Sequence, residues 1–171
     1  ADAIVLHIGC GMDSRICRVG ENGHSWYDVD FPDVIAERKR YYEESDTYHM
    51  IETDARDNAW IEKLPKGKKA IVVMEGVSMY MTNAEIKAFL ITLHNYFEEI
   101  AILVDCYTVL AAKMSKYKNP INDVGVTTVY GIDDPKILES ENIAFVKEHN
   151  ILPEKCIEEL KGFEKFIFKK L

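Results

Sequence analysis

The residues that first suggest chemistry are two glycines separated by a single residue, Gly9 and Gly11. A glycine backbone can approach a ligand closely and tolerates positive φ, so such a pair is typical of loops that hold a nucleotide. The dinucleotide-binding pattern G-x-G-x-x-G needs a third glycine, and Ser14 stands at that position. The motif is therefore incomplete, and a plain tight turn is the alternative interpretation. Cys10, between the glycines, is expected to offer only its backbone N–H.

An acidic residue follows at the distance that a nucleotide site requires. Asp30 lies 19 residues after Gly11, and an acid about 20 residues beyond such a loop commonly binds ribose hydroxyls. Asp28 would face the same side of the strand and is a rival. We favour Asp30 because it lies at the predicted end of that strand. A solvated turn carboxylate or a helix cap is the alternative for either acid.

Two further polar motifs extend this pattern. The Asp54 carboxylate would accept a hydrogen bond from the amino group of an adenine, and the small Ala55 would leave room for the ring. Glu75 directly follows a strongly apolar segment, where a carboxylate is costly unless it is solvated or paired. A helix N-cap is the alternative for Asp54, and a surface turn carboxylate is the alternative for Glu75.

The elements that must position these residues alternate along the chain. Apolar segments predict five strands, at Ala3–Ile8, Ser25–Val29, Tyr48–Thr53, Ala70–Met74 and Ile100–Val104. Proline, capping residues and apolar periodicity predict helices at Pro32–Glu44, after Asp57, after the capping box of Thr82 and Glu85, at Thr108–Lys118 and at Pro153–Leu160, the last closed by Gly162. The stretch Asn119–Asp134 is expected to be irregular.

This alternation predicts an α/β fold with a parallel sheet and helices on both faces. Such sheets bind ligands at the carboxyl ends of their strands. All the polar motifs above follow strands, so together they describe one nucleoside site, which is a stronger signal than any of them alone.

Length, charge and cysteine spacing exclude several classes of protein. The 171 residues fit a single domain, 1–171, and the 21 basic against 29 acidic residues give a net charge of −8. This balance argues against nucleic acid as a partner, because such binders need a basic face. No run reaches the roughly 18 apolar residues of a membrane span. Cysteines without zinc-site spacing predict free thiols, no metal and a cytoplasmic location.

The same residues, in this order, resemble a known family. The blocks that carry the resemblance are HIGCGMDSR, WYDVDFPDVIAERK, YHMIETDARDNAWI and VVMEGVSMYMTNAEI. They are similar to the leucine carboxyl methyltransferase superfamily, and most of all to its bacterial branch of tetracenomycin-polyketide-type O-methyltransferases. The resemblance implies a Rossmann-like class I methyltransferase fold, with seven strands of which the last is antiparallel. Ile143–Glu148 and Lys165–Lys170 are expected to supply the sixth and seventh strands.

The resemblance also implies S-adenosylmethionine as cofactor and assigns the candidate residues to its parts. Asp30 would bind the ribose, and Asp54 with Ala55 would contact the adenine. Gly9 would lie against the methionine part, and Glu75 by its amino-acid end. Family members carry a helical segment before the first strand, with a basic residue that helps to hold the cofactor carboxylate. We expect this chain to lack that segment, and Arg15 is a candidate substitute for its basic residue.

Methyl transfer from a sulfonium to a carboxylate needs positioning and desolvation rather than a strong base. The sequence has no motif of a nucleophilic triad or a metal-bound His pair, which agrees with this chemistry. The expected function is therefore O-methylation of a small, carboxylic acceptor, with Tyr80 facing the acceptor as in the family. Two alternatives stay open: a nicotinamide-dependent oxidoreductase, and a non-catalytic nucleoside-binding or interaction protein with the same fold.

Overall fold

A computed structural model describes residues 3–115, 128–149 and 154–168. Its centre is a five-stranded sheet in the order β3-β2-β1-β4-β5, with every neighbouring pair parallel. The strands are β1 (Ala3–Ile8), β2 (Ser25–Asp30), β3 (Tyr48–Glu52), β4 (Lys69–Met74) and β5 (Glu99–Val104). The five predicted strands are confirmed, each within one residue at either end. Because the strands are parallel, all five carboxyl ends lie along the same edge of the sheet.

The helices are short except for one. They are α1 (Arg15–Val19), α2 (Pro32–Arg38), α3 (Asn83–Tyr96), α4 (Val109–Met114), and two further helices at Glu154–Glu159 and Gly162–Phe168. Single 3₁₀ segments cover Asn58–Lys63, Ser78–Tyr80 and Pro135–Leu138. Within the described ranges, no helix combines the length and apolarity that crossing a bilayer requires.

Local signals explain where several helices begin. Pro32 occupies the first turn of α2, where its missing N–H costs nothing. At α3 the predicted capping box is confirmed: Thr82 accepts from the Glu85 N–H, and the Glu85 carboxylate accepts from the Thr82 N–H. The end of α2 differs from the prediction, since the helix stops at Arg38 rather than near Glu44. The Glu44 carboxylate instead accepts from the Met50 N–H at 2.7 Å and so supports β3.

Side chains that alternate along the strands contribute to two apolar clusters, one on each face of the sheet. On one face, Ile4, Leu6 and Ile8 of β1 join Val72 of β4 and the buried side of α3. On the other face, Val5, Trp26 and Tyr48 pack with residues of α1 and α2. Among the described residues this second layer covers the β3-β2-β1 side, and on the same face Ile71 of β4 and Leu103 of β5 are 41% and 58% exposed.

The predicted sixth strand is wrong. Ile143 makes one antiparallel bridge with Ser140, and no strand is formed at 143–148. The Phe145 N–H donates to the Glu139 carboxylate at 2.8 Å, and Val146 is 92% exposed. A strand needs a partner ladder for its backbone groups, and the described residues of this segment pair locally instead.

The predicted seventh strand, Lys165–Lys170, is also wrong for the residues that the structure describes, since Gly162–Phe168 is a helix. Phe163, Phe166 and Ile167 stand at the i, i+3, i+4 spacing of a helix, and a short apolar run alone does not separate helix from strand. Gly162 therefore begins this helix rather than merely closing the one before it. Residues 169–170 lie outside the described ranges.

Candidate functional site at the carboxyl edge of the sheet

The loop after β1 has a backbone that requires glycine. Gly9 has φ +67°, and a Cβ there would overlap Cγ2 of Val77 from the loop after β4. Gly11 also has positive φ, +50°, but a Cβ there would meet no atom within 4 Å. Gly9 therefore lets the loops after β1 and β4 approach each other closely, whereas Gly11 needs glycine for its backbone angle alone.

Cys10 is buried between the two glycines, with 2% of its surface exposed. Burial and the negative charge of Asp28 raise the pKa of its thiol, so the thiol stays protonated. Its backbone N–H is directed to the carbonyl of Val29 at 3.4 Å, beside the Gly9 N–H, which donates to the same carbonyl at 2.8 Å. These two N–H groups hold the loop to β2.

Asp30 connects the end of β2 to the same loop. Its Oδ2 accepts from the Gly11 N–H at 2.7 Å, and its Oδ1 accepts from the Phe31 N–H at 2.7 Å. Each carboxylate oxygen has two lone pairs, so capacity for a diol remains on both. The structure thus brings Gly11 and Asp30 together, as the spacing of the two motifs predicts.

Asp28, the rival acid, has a different place. It is fully buried and takes part in a polar cluster that also contains His7, Trp26, Arg38 and Tyr48. Its Oδ2 accepts from Tyr48 Oη at 2.6 Å and from Arg38 Nε at 2.8 Å. Burial acts to raise the pKa of Asp28, but these hydrogen bonds and the Arg38 charge outweigh it and lower that pKa. Asp28 is therefore a buried structural carboxylate.

Arg38 links this cluster to the glycine loop. Its Nη1 donates to the carbonyls of Gly11 at 3.0 Å and Asp13 at 2.8 Å. The side chain is completely buried, and its Nη2 lies 2.5 Å from Asp28 Oδ2. Arg38 thus connects the buried Asp28 carboxylate to the backbone of the glycine loop. Nothing in the spacing of Arg38 singled it out in the sequence.

The third strand end brings Asp54 and Ala55 beside Asp30, because the Thr53 N–H donates to the Asp30 carbonyl at 2.8 Å. The Asp54 carboxylate is held by Arg56, with Oδ1 2.9 Å from Nε and Oδ2 2.5 Å from Nη2. This hydrogen-bonded pairing lowers the pKa of Asp54. The helix cap considered for Asp54 is made instead by Asp57, which accepts from the Ala59 N–H.

Glu75 follows β4 and lies on the rim of a cleft of about 400 Å³. Its side chain is 62% exposed and is paired with Arg15. The cleft unites the loops after β1, β4 and β5, and it is lined by His7, Gly9, Cys10, Met12, Asp13, Glu75, Gly76, Met79, Asp105 and Tyr107.

Asp105 is a lining residue that the sequence analysis did not single out. Both of its carboxylate oxygens accept from the Gly76 N–H, at 3.1 and 3.0 Å. Burial and the nearby Glu75 charge raise its pKa, against the effect of the Gly76 hydrogen bond. Asp105 directly follows β5, so the rule that pointed to the earlier strand ends would also have found it.

Tyr80 closes the 3₁₀ segment after β4 and lies outside the described lining of this cleft. It is 38% exposed. Burial raises the pKa of its hydroxyl, and so does the carboxylate of Asp105, which lines the cleft. Tyr80 therefore lies near the cleft but is not among its described lining residues.

Comparison with known proteins adds an independent line of evidence. The family model for leucine carboxyl methyltransferase matches residues 2–94. The tetracenomycin polyketide synthesis O-methyltransferase TcmP of Streptomyces glaucescens is 31% identical over 97% of this chain and 63% of its own length. The S-adenosyl-L-methionine-dependent methyltransferase dpfgK of Gibberella zeae is 28% identical over 81% of this chain and 51% of its own. The chain therefore spans between half and two thirds of these relatives.

A solved structure shares the fold. Monomeric WbdD superposes with a TM-score of 0.53 over 85% of this chain and 33% of its own length, at 18% identity. At that identity the likeness concerns the arrangement of strands and helices only.

Proposed function

This chain belongs to the leucine carboxyl methyltransferase family, and from this membership we propose that the protein is an S-adenosylmethionine-dependent O-methyltransferase whose acceptor is a small carboxylic acid. Its α/β fold with a parallel sheet agrees with the class I methyltransferase fold expected for this family. The observation that carries the proposal is the direct hydrogen bond between the glycine loop and the acid after β2, Gly11 N–H to Asp30 Oδ2.

The residues at the strand ends suit the two halves of the cofactor. On the adenosine side, Asp30 would accept from the ribose hydroxyls, and Asp54 with Ala55 would contact the adenine beside it. For Asp54 to accept the adenine amino group, its carboxylate must share or release the bonds from Arg56. On the methionine side, Gly9 and Glu75 border the cleft.

The cleft also fits the charge of the proposed cofactor. Three carboxylates, those of Asp13, Glu75 and Asp105, line it beside the side chains of Met12 and Met79. S-adenosylmethionine carries a positive sulfonium and an ammonium group, and it supplies an already activated methyl group when bound. Carboxylates near these cations and thioethers near the hydrocarbon chain are the surroundings that such a molecule needs.

The choice of a carboxylic acceptor rests on the groups around the cleft. Its described imidazole, that of His7, is engaged on both nitrogens, by Asp28 and by Arg15. It is therefore poorly placed to remove a proton from an acceptor. A carboxylate is already ionised at neutral pH and needs only to be oriented and desolvated. Tyr80, near Asp105 and Tyr107, is proposed to orient it.

A cytoplasmic location is part of the proposal and is supported by the free thiols of Cys10, Cys17, Cys106 and Cys156. Such thiols are typical of proteins in reducing compartments.

A thermal-shift panel tests the cofactor assignment, because a specific ligand stabilises the native state by mass action. S-adenosylhomocysteine is expected to raise Tm, and NADH is expected to leave it unchanged. The opposite result would favour the oxidoreductase alternative. Transfer of a labelled methyl group from S-adenosylmethionine to a panel of small carboxylic acids and phenols then tests the reaction. Tight binding without transfer to any acceptor would favour a non-catalytic protein, and transfer to phenols alone would overturn the carboxylic assignment.

A further inference from the structure

The Arg15 guanidinium connects the rim of the cleft to the buried polar cluster. Its Nη2 donates to the Glu75 carboxylate and lies 3.2 Å from Asp13 Oδ2, while its Nη1 lies 3.0 Å from His7 Nε2. The Arg15 side chain is 20% exposed, whereas the Glu75 side chain is 62% exposed. One largely buried cation thus holds one largely exposed carboxylate.

The hydrogen bonds of His7 define how Arg15 is held. His7 Nδ1 lies 3.1 Å from Asp28 Oδ1, and Asp28 is a carboxylate that can only accept. The proton of the imidazole therefore lies on Nδ1, and Nε2 is left as an acceptor for the Arg15 N–H. With 1% of its surface exposed, His7 has little freedom to turn. The orientation of Arg15 is consequently fixed from inside the fold.

This arrangement restrains the side chain of Glu75. An exposed glutamate samples many rotamers, and a ligand that binds one of them must overcome that lost freedom. The next residue, Gly76, is tied to Asp105 through its N–H, so the backbone at Glu75 is already restrained. Arg15 adds the restraint on the side chain, in the direction of the cleft that Glu75 lines.

We propose that Arg15 is a positioning residue that presents the Glu75 carboxylate to the amino-acid end of the bound cofactor. This inference rests on the proposed function. In this arrangement Glu75 contacts the cofactor, and Arg15 acts through its ion pair with Glu75. In such an arrangement Arg15 matters only for ligands that carry an amino-acid end.

Two ligands separate positioning from a general structural role. S-adenosylhomocysteine carries the amino-acid end, and 5′-methylthioadenosine has the same adenosine and sulfur without it. Calorimetry on the full chain is expected to show that Arg15→Met weakens S-adenosylhomocysteine binding by roughly tenfold or more. Binding of 5′-methylthioadenosine should change by less than about twofold, within ordinary surface-mutation effects. Arg15→Lys keeps the charge without the two-pronged geometry and should fall between wild type and Arg15→Met.

Arg18→Met is the matched control, because Arg18 binds the other oxygen of the same Asp13 carboxylate and is 61% exposed. It should leave both affinities unchanged. Glu75→Gln should reproduce the selective loss, and adding Arg15→Met to it should cost little more, since both changes remove one arrangement.

The outcomes are distinct. If Arg15→Met loses the same affinity for both ligands, Arg15 has a structural role only. If its affinity for S-adenosylhomocysteine is unchanged or tighter, Arg15 either does not contribute to binding or competes with the cofactor for Glu75. Either result overturns the inference while leaving the proposed function in place. A wild-type protein that binds neither ligand would overturn the proposed function itself.

Discussion

The carboxylate of Asp30 accepts the backbone N–H of Gly11 at 2.7 Å and so joins the loop after β1 to the end of β2. It also accepts the Phe31 N–H at the start of α2, again at 2.7 Å. In the proposed site one carboxylate thus shapes the glycine loop and faces the ribose. Removal of the Asp30 carboxylate should therefore weaken cofactor binding twice over, because the loop loses a support and the ribose loses an acceptor.

Asp30→Ala is therefore expected to weaken S-adenosylhomocysteine binding by roughly 10- to 100-fold, the worth of one or two hydrogen bonds to a charged group. Isothermal titration calorimetry measures the change. Asp33→Ala, in the first turn of the same helix, is the control and should bind normally. Equal affinity in Asp30→Ala and wild type would remove Asp30 from the ribose assignment.

Gly9→Ala should disrupt the site more than Gly11→Ala. Both positions have positive φ, so each substitution carries backbone strain. Only at Gly9 does the added methyl group also overlap Val77, which would push apart the loops after β1 and β4. Chemical denaturation and S-adenosylhomocysteine titration of the two variants make the comparison. Similar losses in both would show that backbone strain alone matters.

Arg38→Met should be strongly destabilising. Arg38 and Asp28 are both fully buried, and removal of one partner of a buried pair leaves an uncompensated charge, at a cost of about 3–5 kcal/mol. Urea unfolding gives the free energy. Arg40→Met breaks an exposed pair with Glu37 and should cost less than about 1 kcal/mol. A cost for Arg38→Met as small as this would mean that the cluster tolerates the unpaired Asp28.

The contribution of Asp28 should depend on pH in the acid range. Its pKa in the folded protein is below the ordinary value of 3.8, although burial alone would raise it. A group of this kind stabilises the fold fully above its unfolded pKa and loses that contribution as pH falls through its folded pKa. The stability gap between wild type and Asp28→Asn should therefore be constant above about pH 5 and narrow below about pH 4.

Urea unfolding at several pH values tests this prediction. A gap that widens on acidification would reverse the sign and contradict the lowered pKa.

Tyr80→Phe should lower the turnover number of the proposed reaction and leave the affinity for S-adenosylhomocysteine unchanged. The proposed role of the hydroxyl is to orient the acceptor, and Tyr80 stands outside the described lining of the cleft. Steady-state kinetics with an acceptor from the panel, beside calorimetry, separate the two effects. Tyr41→Phe alters a 64% exposed tyrosine and serves as control. Unchanged turnover would remove Tyr80 from the mechanism.

Local sequence signals were sufficient to predict the strands and helices that have strong apolar patterns. The five strands appear because β-branched and apolar runs such as AIVLHI are bounded by glycine, proline or polar turns, and α3 begins at a capping box whose two residues find each other within one turn. Where the pattern was short and ambiguous, as at 143–148 and 165–168, the strand prediction failed. A strand is decided by a distant partner, whereas a helical turn closes on itself.

The sequence by itself determined which residue types stand at the ends of the parallel strands, and hence that Gly9, Gly11, Asp30, Asp54 and Glu75 share one edge of the sheet. Only the tertiary structure decided what each carboxylate is bonded to. Asp28 and Asp30 differ by two positions, yet one is buried against Arg38 and the other accepts from the glycine loop. Arg38 lies 10 positions after Asp28. Which of the two neighbouring acids turns toward Arg38 and which toward the loop depends on how β2 packs against α2 and the glycine loop, and the sequence spacing left both open.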